Sequence, residues 1–104
     1  RTILAGLRGH DRIDYRQLAA HCGVNRRAVA SMSPQAVEAE LGFEVGGVGP
    51  FAFQPDVTVL LDTHLAEMET VYCGSGKNSV TLGIDFADLL RTCGGKLVRL
   101  ARVD

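Results

Sequence analysis

Apolar and polar residues follow two different periods along the chain, and these periods predict a series of strands and helices. The continuous apolar run 57–61 is bounded by polar residues, which is typical of a buried central strand. Residues 1–7 are apolar and β-branched and predict a first strand. Residues 70–73 and 80–84 flank a glycine-rich turn and predict a hairpin, and residues 97–100 predict a closing strand.

Three helices are indicated by apolar residues at helical spacing and by capping residues at both ends. Each predicted helix begins after a side chain that accepts hydrogen bonds from free amides, and each ends at a glycine. The capping pairs are Asp14 with Gly23, Ser33 with Gly42, and Asp85 with Gly94. In the second helix Pro34 takes the first helical position, where no amide partner is lost.

Two shorter segments complete the predicted elements. Asp62 is expected to cap a short helix over Leu65 and Met68, and residues 25–31 are predicted to form a short strand around Val29. The mixture of a hairpin with strand-helix-strand units predicts a single α/β (mixed α+β) domain over residues 1–104. Its sheet is expected to be mixed and mostly antiparallel, with helices packed on it.

Charge and length limit the classes of function. The chain has 104 residues and 46% hydrophobic residues, which fits one compact domain with a modest core. Eleven basic residues nearly cancel twelve acidic ones, giving a net charge of −1 and no general attraction to nucleic acid or anionic lipid. Any RNA contact must therefore be local. The adjacent pair Arg26 and Arg27 is interpreted as a solvated pair in preference to a phosphate clamp.

The cysteines and histidines do not form a recognisable metal or nucleophile motif. Cys22, Cys73 and Cys93 are widely spaced, so we expect free thiols in a reducing compartment, more often small buried hydrophobes than nucleophiles. His64 is the most plausible of the three histidines for a catalytic or zinc-binding set, but the fold would have to bring its partners to it. We therefore expect no metal and no cofactor.

The location of the protein is predicted from what the sequence lacks. It contains no signal-peptide pattern and no apolar run near ~18 residues, so we expect a cytoplasmic protein without a membrane partner. The sequence also opens within the first strand pattern, and we expect that part of the domain precedes residue 1.

Residues 42–51 form the most informative segment, because its ten residues include four glycines and a proline together with two phenylalanines. Glycines at 46, 47 and 49 remove side chains from the backbone, and Pro50 restricts it. Amides held on such a loop can donate hydrogen bonds to a carbonyl, carboxylate or phosphate oxygen. From the residues alone, a ligand cradle and a tight structural turn are equally good interpretations.

Four segments in order resemble the YbaK/EbsC family: the loop 46–51, the strand end 59–62, the turn 74–77 and the segment 85–89. These small aminoacyl-tRNA deacylases are similar to the editing domain inserted in bacterial prolyl-tRNA synthetases, and they hydrolyse amino acids wrongly attached to tRNA. The resemblance covers essentially the whole chain and implies an editing-domain-like fold.

The resemblance also implies roles for individual residues. The amides of Gly46, Gly47 and Gly49 would stabilise the negative charge that develops on an ester carbonyl oxygen. Asp88 would face them, binding the substrate amine or orienting water; its alternative role is at the N-terminus of the last helix. The residues expected to bind substrate are Val48, Pro50, Phe51, Gly74 and Ser75.

Some of these assignments have structural alternatives. The segment 74–77 is either a second wall of the pocket or a hairpin tip. Among Phe43, Phe51 and Phe53, stacking on the terminal adenine is an option, but we expect core packing for two of the three. Gly47→Ala is expected to lower turnover far more than stability.

The chain departs from the family pattern at three places. Gly49 stands where the family usually has serine, and Ala52 where it often has glycine. Members carry an important lysine on an early strand, and neither Lys77 nor Lys96 lies in that position. Either the chain is the last two thirds of an ordinary member or it is a shortened, inactive relative; its opening within a strand favours the first.

The resemblance therefore predicts hydrolysis of the ester bond of mischarged tRNA, with substrates such as Cys- or Ala-tRNA(Pro). The partners would be the tRNA acceptor end and an aminoacyl-tRNA synthetase, in an oligomeric state that the sequence does not fix. The alternative is a non-catalytic module of the same family that binds tRNA or an aminoacyl ligand. A nucleotide-binding loop is disfavoured, because no phosphate-binding glycine motif follows a strand.

Overall fold

The computed structural model describes residues 2–103. In chain order the elements are β1 (Thr2–Gly6), α1 (Tyr15–Cys22), α2 (Pro34–Leu41), β2 (Val57–Asp62), β3 (Thr70–Gly74), β4 (Thr81–Asp85), α3 (Phe86–Cys93) and β5 (Lys96–Val98). Short 3₁₀ helices lie at Arg26–Ala28 and Thr63–Glu67.

The strands belong to two sheets. β2 lies between β1 and β5 in a parallel sheet, while β3 and β4 form a separate antiparallel hairpin. The mixed α/β fold class is thus confirmed, but the larger sheet is parallel where a mostly antiparallel one was expected. The reason is the connections: helices lie between β1 and β2 and between β2 and β5, and only β3 and β4 are joined by a short turn, which requires antiparallel strands.

The central strand β2 carries the core on both of its faces. Val59 and Leu61 pack with Leu89 of α3 on one face, and Leu60 packs with Leu18 of α1 on the other. Burial on two sides explains why this strand reads as a continuous apolar run. The predicted buried central strand is confirmed, and it fixes the position of every element around the cleft described below.

The predicted helix ends are confirmed, with one difference at α3. Asp14 accepts hydrogen bonds from the first amides of α1, and Ser33 does the same for α2. Asp85 occupies the N-cap position of α3, yet its side chain makes no capping hydrogen bond. The C-terminal glycines Gly23, Gly42 and Gly94 all have positive φ, between 66° and 77°.

The predicted short strand at residues 25–31 is wrong. This segment contains the 3₁₀ helix Arg26–Ala28, followed by irregular backbone. The side chain of Asn25 accepts a hydrogen bond from the Arg27 amide at 3.0 Å, and this local bond favours a turn over an extended chain. A single β-branched residue, Val29, does not overcome that preference.

Across residues 2–103 no helix is both long enough and apolar enough to cross a membrane.

Candidate active site

A small cleft of about 230 Å³ lies where the end of β1 meets the glycine loop and the hairpin. β1 and β2 are parallel, so their carboxyl ends meet at the same edge of the sheet, a common place for a binding site. The cleft is lined by Leu4, Ala5, Gly6, Leu7, Val48, Gly49, Pro50, Leu61, Leu65, Val71, Tyr72, Cys73, Gly74 and Leu89.

Backbone hydrogen bonds attach the glycine loop to the tip of the hairpin. The amide of Glu44 donates to the carbonyl of Gly76, and the amide of Gly76 donates to the carbonyl of Gly47, both at 2.8 Å. The Asn78 side chain donates to the carbonyl of Val45 at 3.3 Å. These bonds hold the loop in one position relative to β3, as a preorganised site requires.

The glycine loop and the hairpin tip lie so close together that only glycine fits at positions 47 and 49. A Cβ on Gly47 would lie 2.6 Å from the carbonyl carbon of Lys77, and a Cβ on Gly49 would overlap the carbonyl of Gly74. The serine that the YbaK/EbsC pattern usually has at position 49 does not fit this arrangement. It also follows that Gly47→Ala forces the loop and the hairpin apart. Stability and turnover should fall together, and a change confined to turnover is no longer expected.

The amides of the loop are not equally available. The Gly47 amide donates to the carbonyl of Glu44 at 2.8 Å and closes a turn. Within residues 2–103 the amides of Gly46, Val48 and Gly49 donate no backbone hydrogen bond. Of these three residues, Val48 and Gly49 line the cleft and Gly46 does not. The free donors at the cleft are therefore those of Val48 and Gly49.

The other residues expected to bind substrate separate into two groups. Pro50 and Gly74 line the cleft. Phe51 is half-buried and packs against the core around Leu61. The hydroxyl of Ser75 donates to the carbonyl of Val80 at 2.7 Å and so closes the hairpin tip. Gly74 thus belongs to the pocket wall, whereas Ser75 stabilises the turn.

Asp88 lies on the exposed surface of α3. Its carboxylate pairs with Arg91, one turn further along the helix, at 2.6 Å, and it does not line the cleft. Leu89, the next residue, points to the core and is 1% exposed. The structure therefore brings Val48, Gly49, Pro50 and Gly74 together and places Asp88 elsewhere.

The three phenylalanines around the loop differ in exposure. Phe43 is 7% exposed, and Phe51 packs on the core, whereas Phe53 is 71% exposed. The expectation that two of the three pack in the core is confirmed. Phe53 alone presents a ring on which a base can stack.

Three residues of β3 that the sequence did not mark as site residues line the cleft: Val71, Tyr72 and Cys73. Tyr72 is 73% exposed, and Cys73 is half-buried beside it. Burial raises the pKa of the Cys73 thiol, and the neighbouring Cys93 adds to this effect. A strand that approaches the glycine loop places consecutive residues at the cleft, but sequence spacing gives no sign of that approach.

Because its pKa is raised, Cys73 is predicted to remain a thiol at neutral pH and not to act as a nucleophile. Cys73→Ser should keep the hydrolytic activity proposed below within about threefold, since serine retains the shape of the side chain. Single-turnover hydrolysis by the two proteins measures this. A loss of hundredfold or more would show that the thiol takes part in the reaction.

A second polar cluster lies beside the end of β2. Asp62 is fully buried, and its Oδ1 accepts hydrogen bonds from the amides of Leu100 and Ala101 at 2.8 and 2.9 Å. Its Oδ2 accepts from the His64 amide at 3.0 Å and lies 2.9 Å from His64 Nδ1. The fold thus gives His64 a carboxylate partner that sequence reasoning left open, and Asp11 Oδ2 lies 3.8 Å from the same nitrogen.

Both carboxylates of this cluster are held ionised. Burial alone would raise the pKa of Asp62, but the amides of Leu100 and Ala101, with His64, lower it below its ordinary value. Asp11 is hydrogen-bonded by Arg8 at 2.7 and 3.1 Å, and this contact lowers its pKa. Ligand atoms of Asp11, Asp62 and His64 lie within 4.8 Å of one another. However, the protein's own donors already occupy the carboxylate oxygens, which favours a structural role over metal binding.

Lysines are not part of the cleft. Lys77 lies in the exposed hairpin turn and Lys96 begins β5, and neither is among the residues that line it.

The chain is similar in sequence to known proteins that act on tRNA. Residues 1–92 match the family model described as "Aminoacyl-tRNA editing domain". The chain is 31% identical over 101 residues to the "Multifunctional Ser/Thr-tRNA deacylase ProXp-y" of Escherichia coli (strain K12), covering 96% of this chain and 59% of that protein. It is 34% identical over 83 residues to "Uncharacterized protein YwhH" of Bacillus subtilis (strain 168), covering 78% of this chain and 51% of that protein. The chain thus spans between half and two thirds of the length of these relatives.

Solved structures share the fold. A "putative trans-editing enzyme for prolyl tRNA synthetase" superposes with a TM-score of 0.79 at 22% identity, covering 91% of this chain and 59% of that one. The "hypothetical protein APE2540" superposes with a TM-score of 0.84 at 22% identity, covering 96% and 65%. With a family model over most of its residues and a curated relative above 30% identity, the chain belongs to the aminoacyl-tRNA editing domain family.

Proposed function

We propose that this protein hydrolyses the ester bond between a small amino acid and the 3′ end of a mischarged tRNA. The observation that supports this most is that Val48 and Gly49, on the glycine loop, line the cleft and, within residues 2–103, donate no backbone hydrogen bond from their amides. The family to which the chain belongs acts on the same class of bond.

The amides account for the chemistry of the step. Attack of water on the ester carbonyl places negative charge on its oxygen, and donors fixed beforehand stabilise that charge more than they stabilise the substrate. The hydrogen bonds between the loop and the hairpin fix these donors. An aminoacyl ester is already activated, so the attacking water needs mainly to be positioned. The proposed mechanism does not use Asp88 or a cysteine thiolate.

The cleft also suggests the class of amino acid. Its volume of about 230 Å³ and its apolar walls of Leu4, Leu61 and Val71 leave room for a small side chain. Such a pocket rejects an extra methylene by about 1–3 kcal/mol and discriminates poorly against a hydroxyl of similar shape. We therefore propose Ala- and Cys-tRNA(Pro)-like substrates. By analogy with the name of the Escherichia coli relative, we add Ser- and Thr-tRNA.

The proposal includes partners and a location. The tRNA acceptor end would present the ester to the cleft, and an aminoacyl-tRNA synthetase would supply mischarged tRNA. Both are found in the cytoplasm, where we place the protein, and the absence of a disulfide among the three cysteines of residues 2–103 fits a reducing compartment.

The direct experiment incubates the purified protein with tRNA charged with alanine, cysteine, serine or threonine and follows release of the amino acid. We expect release well above the buffer rate for at least one of the four. tRNA charged with arginine is the control, because the apolar side chains of Leu4, Leu61 and Val71 offer no partner to a charged side chain, so arginine should stay attached. No release from any of the four small aminoacyl-tRNAs would refute the proposal.

A second candidate function rests on the lysines. Neither Lys77 nor Lys96 lines the cleft, and neither matches the lysine that the YbaK/EbsC pattern places on an early strand. The alternative is therefore a module that binds aminoacyl-tRNA without hydrolysing it. Saturable binding of charged tRNA combined with an unchanged ester half-life would support this module over the hydrolase.

A further inference from the structure

A shallow groove of about 680 Å³ beside the N-terminus of α1 gathers four of the nine arginines in the chain. All four side chains are exposed. The groove is lined by Arg12, Ile13, Asp14, Tyr15, Arg16, Arg26 and Arg102. In a chain of net charge −1, this is a strongly local concentration of positive charge.

The fold builds this groove from three separate segments. The Arg102 amide donates to the carbonyl of Arg12 at 2.7 Å, and an antiparallel bridge joins Ile13 to Ala101. These contacts place Arg12 beside Arg102. The third segment is the 3₁₀ helix Arg26–Ala28, whose first guanidinium lies 4.6 Å from the centre of the Tyr15 ring. Stacking on that ring orients the guanidinium without neutralising it.

The groove has little negative charge of its own. Asp14 is the one carboxylate among its lining residues, and its Oδ1 accepts hydrogen bonds from the amides of Arg16 and Gln17. Within residues 2–103, none of the four arginines forms an ion pair with a carboxylate. Several guanidinium groups with free donors, set around one concave surface, suit a ligand with several phosphates, because the guanidinium fork matches phosphate oxygens.

A third depression adjoins both the groove and the candidate active site. A larger apolar cleft of about 820 Å³ shares Ile13 and Tyr15 with the groove, and it shares Leu4, Ala5 and Val48 with the catalytic cleft. The larger cleft therefore adjoins both the arginine groove and the catalytic cleft. A ligand that places a chain end in the catalytic cleft can lay its charged backbone in the groove.

We propose that this arginine groove binds the phosphate backbone of the RNA whose 3′ end enters the catalytic cleft; the proposal rests on the function proposed above. RNA is favoured over an acidic protein or an anionic membrane because the groove and the catalytic cleft both adjoin the larger cleft, and only a polyphosphate chain with a reactive end has a use for both sites. The structure also shows that the adjacent residues Arg26 and Arg27 differ in position. Arg26 lines the groove and Arg27 does not.

That difference supplies a matched pair of variants, Arg26→Gln and Arg27→Gln. The probe is an uncharged hairpin RNA that reproduces a tRNA acceptor stem with its 3′ CCA end, and Kd is measured over a range of NaCl concentrations. A phosphate contact in duplex RNA is worth about eightfold in Kd at about 0.1 M salt and about 1 in the salt slope. Arg26→Gln and Arg102→Gln should each show both changes, while Arg27→Gln should change Kd by less than about twofold.

The proposal is overturned if both groove variants bind the RNA as the wild type does or lose no more affinity than Arg27→Gln. It is also overturned if polyglutamate or phosphatidylserine vesicles bind in an Arg26-dependent way and the RNA does not. Circular dichroism of each variant guards against unfolding, and Arg102→Gln tests the groove without disturbing the stack on Tyr15.

Hydrolysis assays separate the groove from the reaction. An aminoacyl-adenosine ester has no stem, so Arg26→Gln should hydrolyse it as the wild type does while showing a raised KM for aminoacyl-tRNA. If the protein releases amino acid but the groove variants bind RNA as tightly as the wild type, the RNA-binding role of the groove is refuted and the hydrolase is not. Loss of RNA affinity in the variants, with no release from any aminoacyl-tRNA, would refute the hydrolase and support the groove.

Discussion

Asp62→Ala is expected to lower the free energy of unfolding by about 3–5 kcal/mol at pH 7, as is typical when a buried, hydrogen-bonded charge is removed. Asp62 is fully buried and joins the end of β2 to the segment after β5. Alanine would leave the amides of Leu100 and Ala101 buried without an acceptor, at a cost of about 1–3 kcal/mol each. Urea denaturation of both proteins measures the difference.

The same carboxylate predicts how stability depends on pH. The folded protein lowers the pKa of Asp62, so its contribution is fully present above the ordinary value of about 3.9 and is lost as pH falls through the folded pKa. The difference between wild type and Asp62→Asn should therefore shrink below about pH 4. The control is Asp88→Asn, which removes only an exposed ion pair with Arg91 and should have a small effect. A loss below about 1 kcal/mol in Asp62→Ala at pH 7 would show that the carboxylate does not hold this junction.

Local signals in the sequence were enough to predict most elements of the fold. Asp14 and Ser33 cap helices because their side chains reach amides two or three residues away. Such contacts join residues that are close in the sequence, so the sequence alone is enough to predict them. The strand prediction at residues 25–31 was wrong because of another contact between near neighbours: the Asn25 side chain stabilises a turn. The direction of the larger sheet depended on how its connections cross, which spacing alone does not give.

The candidate site was less predictable, because its critical contacts join distant residues. The sequence marks the glycines at 47 and 49 as candidate oxyanion donors, whereas the structure shows that side chains are excluded there by the backbone of the hairpin, near Gly74 and Lys77. Asp62 read as a simple helix cap, yet it also binds amides 38 and 39 residues away.

Likewise, a pocket position and a helix N-terminus are indistinguishable for Asp88 in sequence. Only the fold shows that its carboxylate pairs with Arg91 at the surface. The arginine groove combines three distant segments, and a nearly neutral composition conceals it.

In the proposed reaction, the free amides of Val48 and Gly49 stabilise the negative charge on the ester oxygen. Ordinary mutagenesis tests this role poorly, because any Cβ at position 49 overlaps Gly74 and displaces the loop. Replacing the backbone N–H with oxygen, by incorporating an α-hydroxy acid, removes the donor and adds no side chain. One lost oxyanion donor typically costs about 2.7–4 kcal/mol of barrier, or a factor of about 10²–10³ in kcat.

The decisive measurement is single-turnover hydrolysis of the best small aminoacyl-tRNA by proteins with this replacement at Val48 or at Gly49. The control carries it at Gly9, an exposed turn residue with open space around it and no place in the cleft. We predict that the changes at 48 and 49 each slow hydrolysis by about 10²–10³-fold and that the change at Gly9 leaves it unaltered. Rates at both loop positions within about threefold of the wild-type rate would contradict the claim.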